Sequence, residues 1–144
     1  MCEIAEADKD VILITGDLGY SFCEEYAERF PKQFLNVGCI EQSMIGIAAG
    51  MALAGKKPYV YSNAIFLLMR AYEQVRDDIA YNNLDVKLIG TGAGGFLGFT
   101  HNMLGMESEN DLLKNLPNIW QGYPENETMV KDFLLMKGPG YIRL

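Results

Sequence analysis

One carboxylate stands at the entrance of a segment that is otherwise apolar. Glu41 lies in the stretch NVGCIEQSMIG, directly before a helix-like run of Ile, Met, Ala and Gly. A carboxylate at a helix N-terminus can simply satisfy free backbone N–H groups and complement the helix dipole. Beside buried apolar surface it can also make one strong, directed hydrogen bond, because water competes less for it there. Glu41 is therefore a candidate for a structural or a catalytic role.

Other side chains capable of chemistry lie in loops that follow predicted strands. Three such loops are rich in Gly and polar residues, at residues 16–21, 38–42 and 92–101. His101 is the only histidine, so a multi-histidine metal site is excluded, but at the end of a glycine-rich loop it could donate or relay protons. Ser21 and Glu24 have the spacing of a capping box, which predicts that a helix begins at Ser21.

The three cysteines, Cys2, Cys23 and Cys39, are odd in number and have no C-x-x-C spacing. This pattern predicts neither a disulfide framework nor a zinc site, and it favours reduced thiols in the cytoplasm. The N-terminus is acidic and does not resemble a signal peptide. Cys39 precedes Glu41 by two residues, and we interpret it as a small buried apolar residue rather than a nucleophile.

Composition excludes several classes of partner. The 144 residues carry a net charge of −7, and no Lys/Arg cluster is present, so a nucleic-acid or anionic-membrane surface is not expected. No apolar run reaches membrane-spanning length. The hydrophobic fraction of 49% is typical of a globular chain, and we expect residues 1–144 to form one domain.

Strand-like and helix-like segments alternate along the chain. Apolar runs predict strands at residues 11–15, 34–37, 58–62, 86–91, 118–122 and 140–144, and helical patterns predict helices at 21–30, 41–54, 64–81, 108–116 and 125–136. Repeated βα units with continuous apolar strands predict an α/β fold, a doubly wound and mostly parallel sheet with helices on both faces. In such folds ligands bind at the carboxyl ends of the strands, where the three loops fall.

The helix at 41–54 is apolar on every side and is studded with glycines. Such a helix is normally buried, and Gly55 is placed to end it as a left-handed cap. A single small sheet domain offers limited cover for a helix of this kind. We therefore expect the chain to associate with itself or with a partner through this helix.

Several segments resemble, in order and spacing, the pyrimidine-binding domain of transketolases and their thiamine diphosphate-dependent relatives. The segments are TGDLGYS, NVGCIEQSMIGIAAGMALAGKKPYVYS, RAYEQVRDDIAYNNLDVKLIGT, GFTHNM, LPNIWQGYPENE and GPGYIRL, which together cover essentially the whole chain. The resemblance implies the thiamine diphosphate-binding fold and a role in transferring a two-carbon ketol unit between sugars or sugar phosphates.

The resemblance also implies roles for individual residues. Glu41 would hydrogen-bond N1′ of the cofactor's aminopyrimidine and stabilise the imino tautomer that activates the thiazolium. Phe66 would line the pyrimidine pocket, although a core role on an apolar helix face fits equally well. Asp17 and Leu18 would pack near the cofactor across a dimer interface, unless they form an ordinary loop after a strand.

Three residues are candidates for contact with the substrate. His101 would face the reacting carbons, as a catalytic and substrate-binding residue. Ser21 could bind a substrate phosphate, although its capping role is favoured. Arg70 could also reach a phosphate, although most arginines on such a helix are solvated or paired.

Departures from the family pattern change which substrate we expect the enzyme to use. Asn63 replaces the usual phenylalanine before the pocket aromatic, Gly92 falls where sugar-phosphate transketolases have a loop histidine, and Leu97 replaces an acidic residue that recognises a substrate hydroxyl. An unusual sugar or a less phosphorylated ketose is therefore a plausible substrate.

The diphosphate half of the expected cofactor site has no match in this sequence. The family holds the diphosphate through Mg²⁺ or Ca²⁺ on a second domain marked by G-D-G and Asn-Asn, whereas GDLG here lies in the opening loop. We therefore expect no metal on this chain and a separate diphosphate-binding transketolase subunit as partner, in a homodimer or a heterotetramer. The chain alone would be inactive, as a subunit or as a fragment.

Other interpretations remain open from the sequence. The chain could be a β-type subunit of a 2-oxo acid dehydrogenase, a piece of a deoxyxylulose-phosphate synthase, or a catalytically dead scaffold. A flavodoxin-like or receiver module would share the doubly wound shape. A receiver would need an acidic pair after the first strand and an Asp after the third, but Asp17 is the only acidic residue in those places.

Overall fold

Six strands form one sheet in the computed structural model, which describes residues 1–92 and 106–144, except the side chains of 106–108. The strands are β1 (Val11–Thr15), β2 (Phe34–Asn36), β3 (Lys57–Asn63), β4 (Lys87–Thr91), β5 (Trp120–Gly122) and β6 (Gly140–Arg143). Their order is β2-β1-β3-β4-β6-β5, and every neighbouring pair is parallel. The predicted sheet is therefore confirmed, and it is wholly rather than mostly parallel.

Helices cover both faces of this sheet. They are α1 (Cys2–Ala7), α2 (Glu24–Arg29), α3 (Glu41–Leu53), α4 (the successive segments Phe66–Arg70, Tyr72–Gln74 and Val75–Ala80), α5 (Met106–Leu113) and α6 (Glu127–Leu135). The first and last segments of α4 have wide π-type turns, which often occur at functional sites. None of the helices in the described ranges is long and apolar enough to cross a membrane.

Alternate residues of the strands feed two separate apolar cores. Ile14 and Leu88 lie with residues of α3, α4 and α5 on one face, whereas Leu13 and Ile89 lie with residues of α1, α2 and α6 on the other. This division follows from the two-residue period of a strand. It explains why the strands read as continuous apolar runs, since both of their faces are buried.

The two N-terminal helices differ from the sequence prediction by more than a shift of two residues. The six-residue helix α1 was not predicted, because it buries only one of its residues, Ala5, and so has no clear apolar period. Helix α2 begins at Glu24 rather than Ser21. The backbone of Ser21 has φ +63°, in the left-handed region, and cannot begin a right-handed helix.

The C-terminal end of α3 confirms the predicted glycine cap. Gly55 has φ +84°, its N–H donates to the Ala52 carbonyl, and the Lys56 N–H donates to the Met51 carbonyl. These two bonds are those of a Schellman motif. On the outer side of the helix, a Cβ added at Gly46 or Gly50 would meet no atom within 4 Å. Helix α3 is therefore buried on one side and uncovered on the other by the described part of the chain.

Candidate active site

The candidate site lies where the strand order reverses, beside β1 and β3. Strand β2, which follows β1 in the chain, lies on one side of β1, whereas β3 and β4 lie on the other. The loops that leave β1 and β3 therefore run in opposite directions along the sheet edge. Such a point at the carboxyl edge of a parallel sheet is a common ligand-binding position. The loop after β1 contains Asp17 and Leu18, and the segment after β3 leads into Phe66.

Glu41 is the first residue of α3 and is only 3% exposed. Arg70 Nη1 donates a hydrogen bond to Glu41 Oε2 at 2.8 Å, which makes an ion pair between a buried carboxylate and a half-exposed guanidinium. A bond of this charge-assisted kind is stronger than one between neutral groups. The helix therefore starts with a buried charge, and that charge is compensated by a side chain from α4.

Phe66 completes a cluster with Glu41 and Arg70. The guanidinium carbon of Arg70 lies 4.1 Å from the centroid of the Phe66 ring, the distance of a close cation–π contact. Phe66 and Arg70 are the first and last residues of the first wide-turned segment of α4. The site thus offers a flat aromatic face beside a buried acceptor, and a planar cation with N–H donors already occupies that place.

The amide side chain of Asn36, at the end of β2, joins two of the candidate loops. Its Oδ1 accepts hydrogen bonds from the backbone N–H of Asp17 and of Gly38, both at 3.0 Å, and its Nδ2 donates to Asp17 Oδ1 at 3.4 Å. Asp17 is held with φ +59°, in the left-handed region. Sequence reasoning missed Asn36, although an Asn just before a Val-Gly pair is a turn signal.

The loop after β1 passes close to the loop before α3. A Cβ added at Gly16 would lie 3.2 Å from the Gly38 carbonyl oxygen, so the close approach of the two backbones leaves little room for a side chain there. Leu18 packs against the core on the α2 side, and its carbonyl accepts a hydrogen bond from Thr15 Oγ1 at 2.7 Å. Asp17 is exposed.

Ser21 forms half of the predicted capping box. Its backbone N–H donates to Glu24 Oε1 at 2.8 Å, but the helix is capped by Cys23 and no side-chain cap bond forms. The hydrogen bond from the Ser21 N–H holds the pKa of the Glu24 carboxyl below its usual value. The Ser21 side chain is exposed, and its backbone bond is to Glu24 rather than to Glu41.

Asn63 occupies the last position of β3 and is 1% exposed. Its Oδ1 accepts from the Ile65 N–H at 3.1 Å, whereas its Nδ2 has no hydrogen-bond partner among the described residues. The neighbouring Ser62 hydroxyl is also buried and without a partner within the described part of the chain. Buried polar atoms of this kind are rare in proteins and commonly mark functional places.

Two sequence interpretations cannot be carried into the site. His101 and Leu97 lie at residues 93–105, outside the described residues, so the structure does not test their predicted roles. Cys39 is exposed, so its interpretation as a buried apolar residue was wrong. It precedes α3 in a loop that the described elements leave uncovered on its outer side. Over the described ranges, no group of three His, Cys, Asp or Glu side chains could hold a metal ion.

A second buried carboxylate lies on α5, against β6. Glu109 is 0% exposed, accepts a hydrogen bond from the Tyr141 hydroxyl and lies 3.2 Å from Arg143 Nη1. Burial raises the pKa of the Glu109 carboxyl, although Tyr141 and Arg143 both act to lower it. Burial and the nearby carboxylate raise the pKa of the Tyr141 hydroxyl as well. This group links α5 to the sheet.

Fold and site together define a class of protein: a parallel α/β domain with a buried carboxylate at a helix N-terminus beside an aromatic ring. The sequence model of the family "Transketolase, pyrimidine binding domain" matches residues 1–137. The chain therefore belongs to the transketolase family as its pyrimidine-binding domain.

Three comparisons illustrate the relationship. A subunit of the apulose-4-phosphate transketolase of Phocaeicola vulgatus is 40% identical over 108 residues, which cover 72% of this chain and 35% of that protein. The "1-deoxy-D-xylulose-5-phosphate synthase" of Buchnera aphidicola is 34% identical over 156 residues, which cover 99% and 25%. The solved structure "Split gene transketolase, inactive beta4 tetramer" superposes with a TM-score of 0.85 at 33% identity, covering 99% of this chain and 47% of that one. This chain thus spans half or less of the length of these relatives.

Proposed function

We propose that this chain is the pyrimidine-binding subunit or section of a transketolase-like enzyme, with residues 1–144 forming a single domain. Together with a diphosphate-binding partner it would transfer a two-carbon ketol unit between sugars. The same proposal places the enzyme in the cytoplasm, in keeping with three free cysteines. The relatives named as a transketolase subunit and as a split-gene transketolase support an enzyme made of separate chains.

The observation that carries the proposal is the buried carboxylate of Glu41 beside the Phe66 ring. The residues present fit the aminopyrimidine half of thiamine diphosphate, because a planar, N–H-donating group already lies against both of them in the form of Arg70. Glu41 would hold a proton at the pyrimidine N1′, and Phe66 would support the ring. When bound, thiamine diphosphate supplies the electron sink for breaking the C–C bond.

The other proposed roles follow the loops around this cluster. Asp17 and Leu18 would pack near the cofactor, with Asn36 fixing the loop that carries them. His101 would donate or relay a proton to the reacting carbons, and Ser21 would contact a substrate phosphate. The Mg²⁺ or Ca²⁺ ion and the diphosphate would be held by the partner chain, whose assembly with this one would be a heterotetramer.

The proposed substrate is an unusual sugar or a less phosphorylated ketose rather than one of the standard pentose phosphates. Gly92 and Leu97 lack the functional groups that would bind such substrates, and the relative named for apulose-4-phosphate supports an unusual sugar. Asn63 brings an additional buried amide to the end of β3, where its Nδ2 is without a partner among the described residues. An amide at this place favours a more polar ligand than phenylalanine would.

Reconstitution tests the proposal. The purified chain, free of host transketolase, is assayed alone and after mixing with a diphosphate-binding chain of the same organism, with thiamine diphosphate, Mg²⁺ and a panel of ketose donors and aldehyde acceptors. We expect no two-carbon transfer by the chain alone and transfer by the mixture. Transfer by the chain alone, or none with any partner that binds it, would contradict the proposal.

A deoxyxylulose-phosphate synthase-like reaction is the second candidate, because such a synthase is similar to 99% of the chain. Pyruvate with an aldehyde phosphate, tested in the same mixture, distinguishes it from ketol transfer. Carbon dioxide release with pyruvate, and no reaction with ketoses, would favour the synthase.

A further inference from the structure

Arg70 makes the two contacts that an aminopyrimidine ring would need in this site. It donates a hydrogen bond to Glu41 Oε2 at 2.8 Å, and its guanidinium carbon lies 4.1 Å from the Phe66 ring centroid. A guanidinium is planar, delocalised and rich in N–H donors, and it stacks on aromatic faces. These are also the properties by which an aminopyrimidine would be held.

Two planar groups cannot share this place. At 4.1 Å the guanidinium is in contact with the face of Phe66 that it covers, so a second ring cannot stack there at the same time. The Glu41 carboxylate is 3% exposed and therefore has little room to accept another donor from a different direction. We propose that Arg70 and the aminopyrimidine ring of the cofactor compete for one place, and that the guanidinium must leave before the ring can enter.

The two partners of the ion pair differ in their freedom to move. Glu41 is buried as the first residue of α3, whereas the Arg70 side chain is 47% exposed on a segment with wide turns. Moving the guanidinium into water restores its hydration, while the carboxylate gains a new donor from the ring. Arg70 is therefore the partner that moves.

The exchange gives Arg70 a second use. Once displaced, its positive charge stands at the rim of the site instead of inside it, where it can pair with an anionic group such as the phosphate of a sugar substrate. The charge is available to substrate only after the cofactor has bound. This inference rests on the proposed function, since it takes the ring to bind at Glu41 and Phe66.

Binding of thiamine to the full chain tests the competition without any turnover. Chemical-shift titrations compare the unaltered chain with Arg70→Met, which keeps the length of the side chain but removes its charge, plane and donors. We expect Arg70→Met to bind thiamine about tenfold more tightly or better, the order of a charge-assisted hydrogen bond. Arg70→Lys, which keeps the charge but loses the planar fork, should fall in between, and it serves the test if Arg70→Met does not fold.

Arg76→Met is the matched control, because Arg76 lies further along α4, half exposed and paired with Asp77 at 2.7 Å. It should leave thiamine binding unchanged.

The outcomes separate the competition from the proposed function. If Glu41→Gln and Phe66→Ala weaken thiamine binding while both Arg70 variants bind equally or more weakly than the unaltered chain, the competition is wrong and the pyrimidine site stands. If binding does not depend on Glu41 or Phe66 at all, the proposed function itself is wrong. No binding by Arg70→Met at the solubility limit of thiamine also counts against the competition.

Discussion

The carboxylate of Glu41 is almost closed to water, yet the side chain that compensates its charge is half exposed. A buried charge without a partner is costly, so a residue at this place must keep a donor whatever else binds there. A helix cap has no need of such burial, since exposed caps satisfy the same N–H groups. Burial together with an exchangeable partner favours a site for ligand chemistry.

Glu41→Gln separates catalysis from capping at this position. Glutamine has nearly the same shape, but it cannot hold the proton at N1′, and removal of a proton-transfer group commonly costs ~10²–10⁴-fold in rate. We expect this loss in the reconstituted complex, with assembly and melting temperature almost unchanged. A near-normal rate with a lowered melting temperature would instead leave Glu41 as a structural residue of the first turn of α3, whose interaction with the helix N-terminus contributes about 1 kcal/mol or less.

Asn36→Ala removes the amide that joins two loops of the site. Its exposed hydrogen bonds should contribute about 1 kcal/mol of stability, and Asp17 would lose the support for its left-handed backbone. We expect a corresponding fall in the free energy of unfolding in urea and a weaker affinity of the reconstituted complex for thiamine diphosphate. Asn115→Ala, at an exposed asparagine, should change neither quantity.

At the scale of elements, the α5–β6 contact joins a helix to the sheet through a buried carboxylate. A carboxyl whose pKa is raised in the folded chain binds more protons there than in the unfolded chain. The stability from Glu109 is therefore fully present below its unfolded pKa, near 4.5, and is lost as the pH rises through the raised value.

Glu109→Gln should remove this pH dependence, because glutamine can still accept the bond from Tyr141 but does not ionise. The free energy of unfolding of the unaltered chain, relative to the variant, should fall as the pH increases from about 4.5 towards neutrality. Urea unfolding at a series of pH values measures it. A difference that is constant with pH, or that grows in the opposite sense, contradicts the raised pKa.

Elements were predicted from sequence wherever one periodic pattern was decisive. Strands such as Val11–Thr15 have all residues buried, so an unbroken apolar run identifies them. The wide turns of α4 were not predicted, since they depend on packing and leave the apolar pattern of a helix intact. Cys39 was wrongly taken as buried because local sequence does not report which loops remain uncovered.

The candidate site residues also divide into those indicated by local sequence and those whose contacts depend on packing. Glu41 was singled out as a candidate because a charge before an apolar helix is a local signal, and its catalytic role stays a prediction. Its bond with Arg70 joins residues 29 apart, which no local pattern specifies. The contact of Arg70 with Phe66, by contrast, follows from their four-residue spacing on one helix. The role of Asn36 likewise depends on how two loops meet. His101 remains a prediction, since it lies outside the described residues.

At the scale of the whole molecule, the outer side of α3 is the candidate assembly surface. Added Cβ atoms at Gly46 and Gly50 would meet no described residue outside their own helix within 4 Å, and Leu53 beside them is 75% exposed. Glycines in an exposed helix cost about 1 kcal/mol each relative to alanine, which is useful only if another backbone approaches closely. The uncovered glycines therefore favour a second chain at this surface.

Gly50→Arg should weaken assembly without weakening the fold. Arginine favours helix more than glycine does, and no described atom of the chain lies within 4 Å of the added Cβ, so the melting temperature of the dissociated chain should not fall. Light scattering over a range of concentrations should show association of the unaltered chain and a shift to monomer in the variant. The control is Leu135→Arg, at a 69% exposed leucine on α6. Equal effects of the two substitutions, or a monomeric unaltered chain, would argue against self-pairing through α3.

Both margins of the sheet are closed by very short strands. The outermost strands β2 and β5 have three residues each, and they offer few unpaired N–H and C=O groups to a neighbouring molecule. Pairing of the edge strand of one molecule with the edge strand of another is therefore disfavoured at both edges of the sheet. Assembly should therefore use side-chain surfaces of helices. A two-fold contact of that kind is complete once two chains have joined, whereas a continued ladder of backbone bonds would have no natural end.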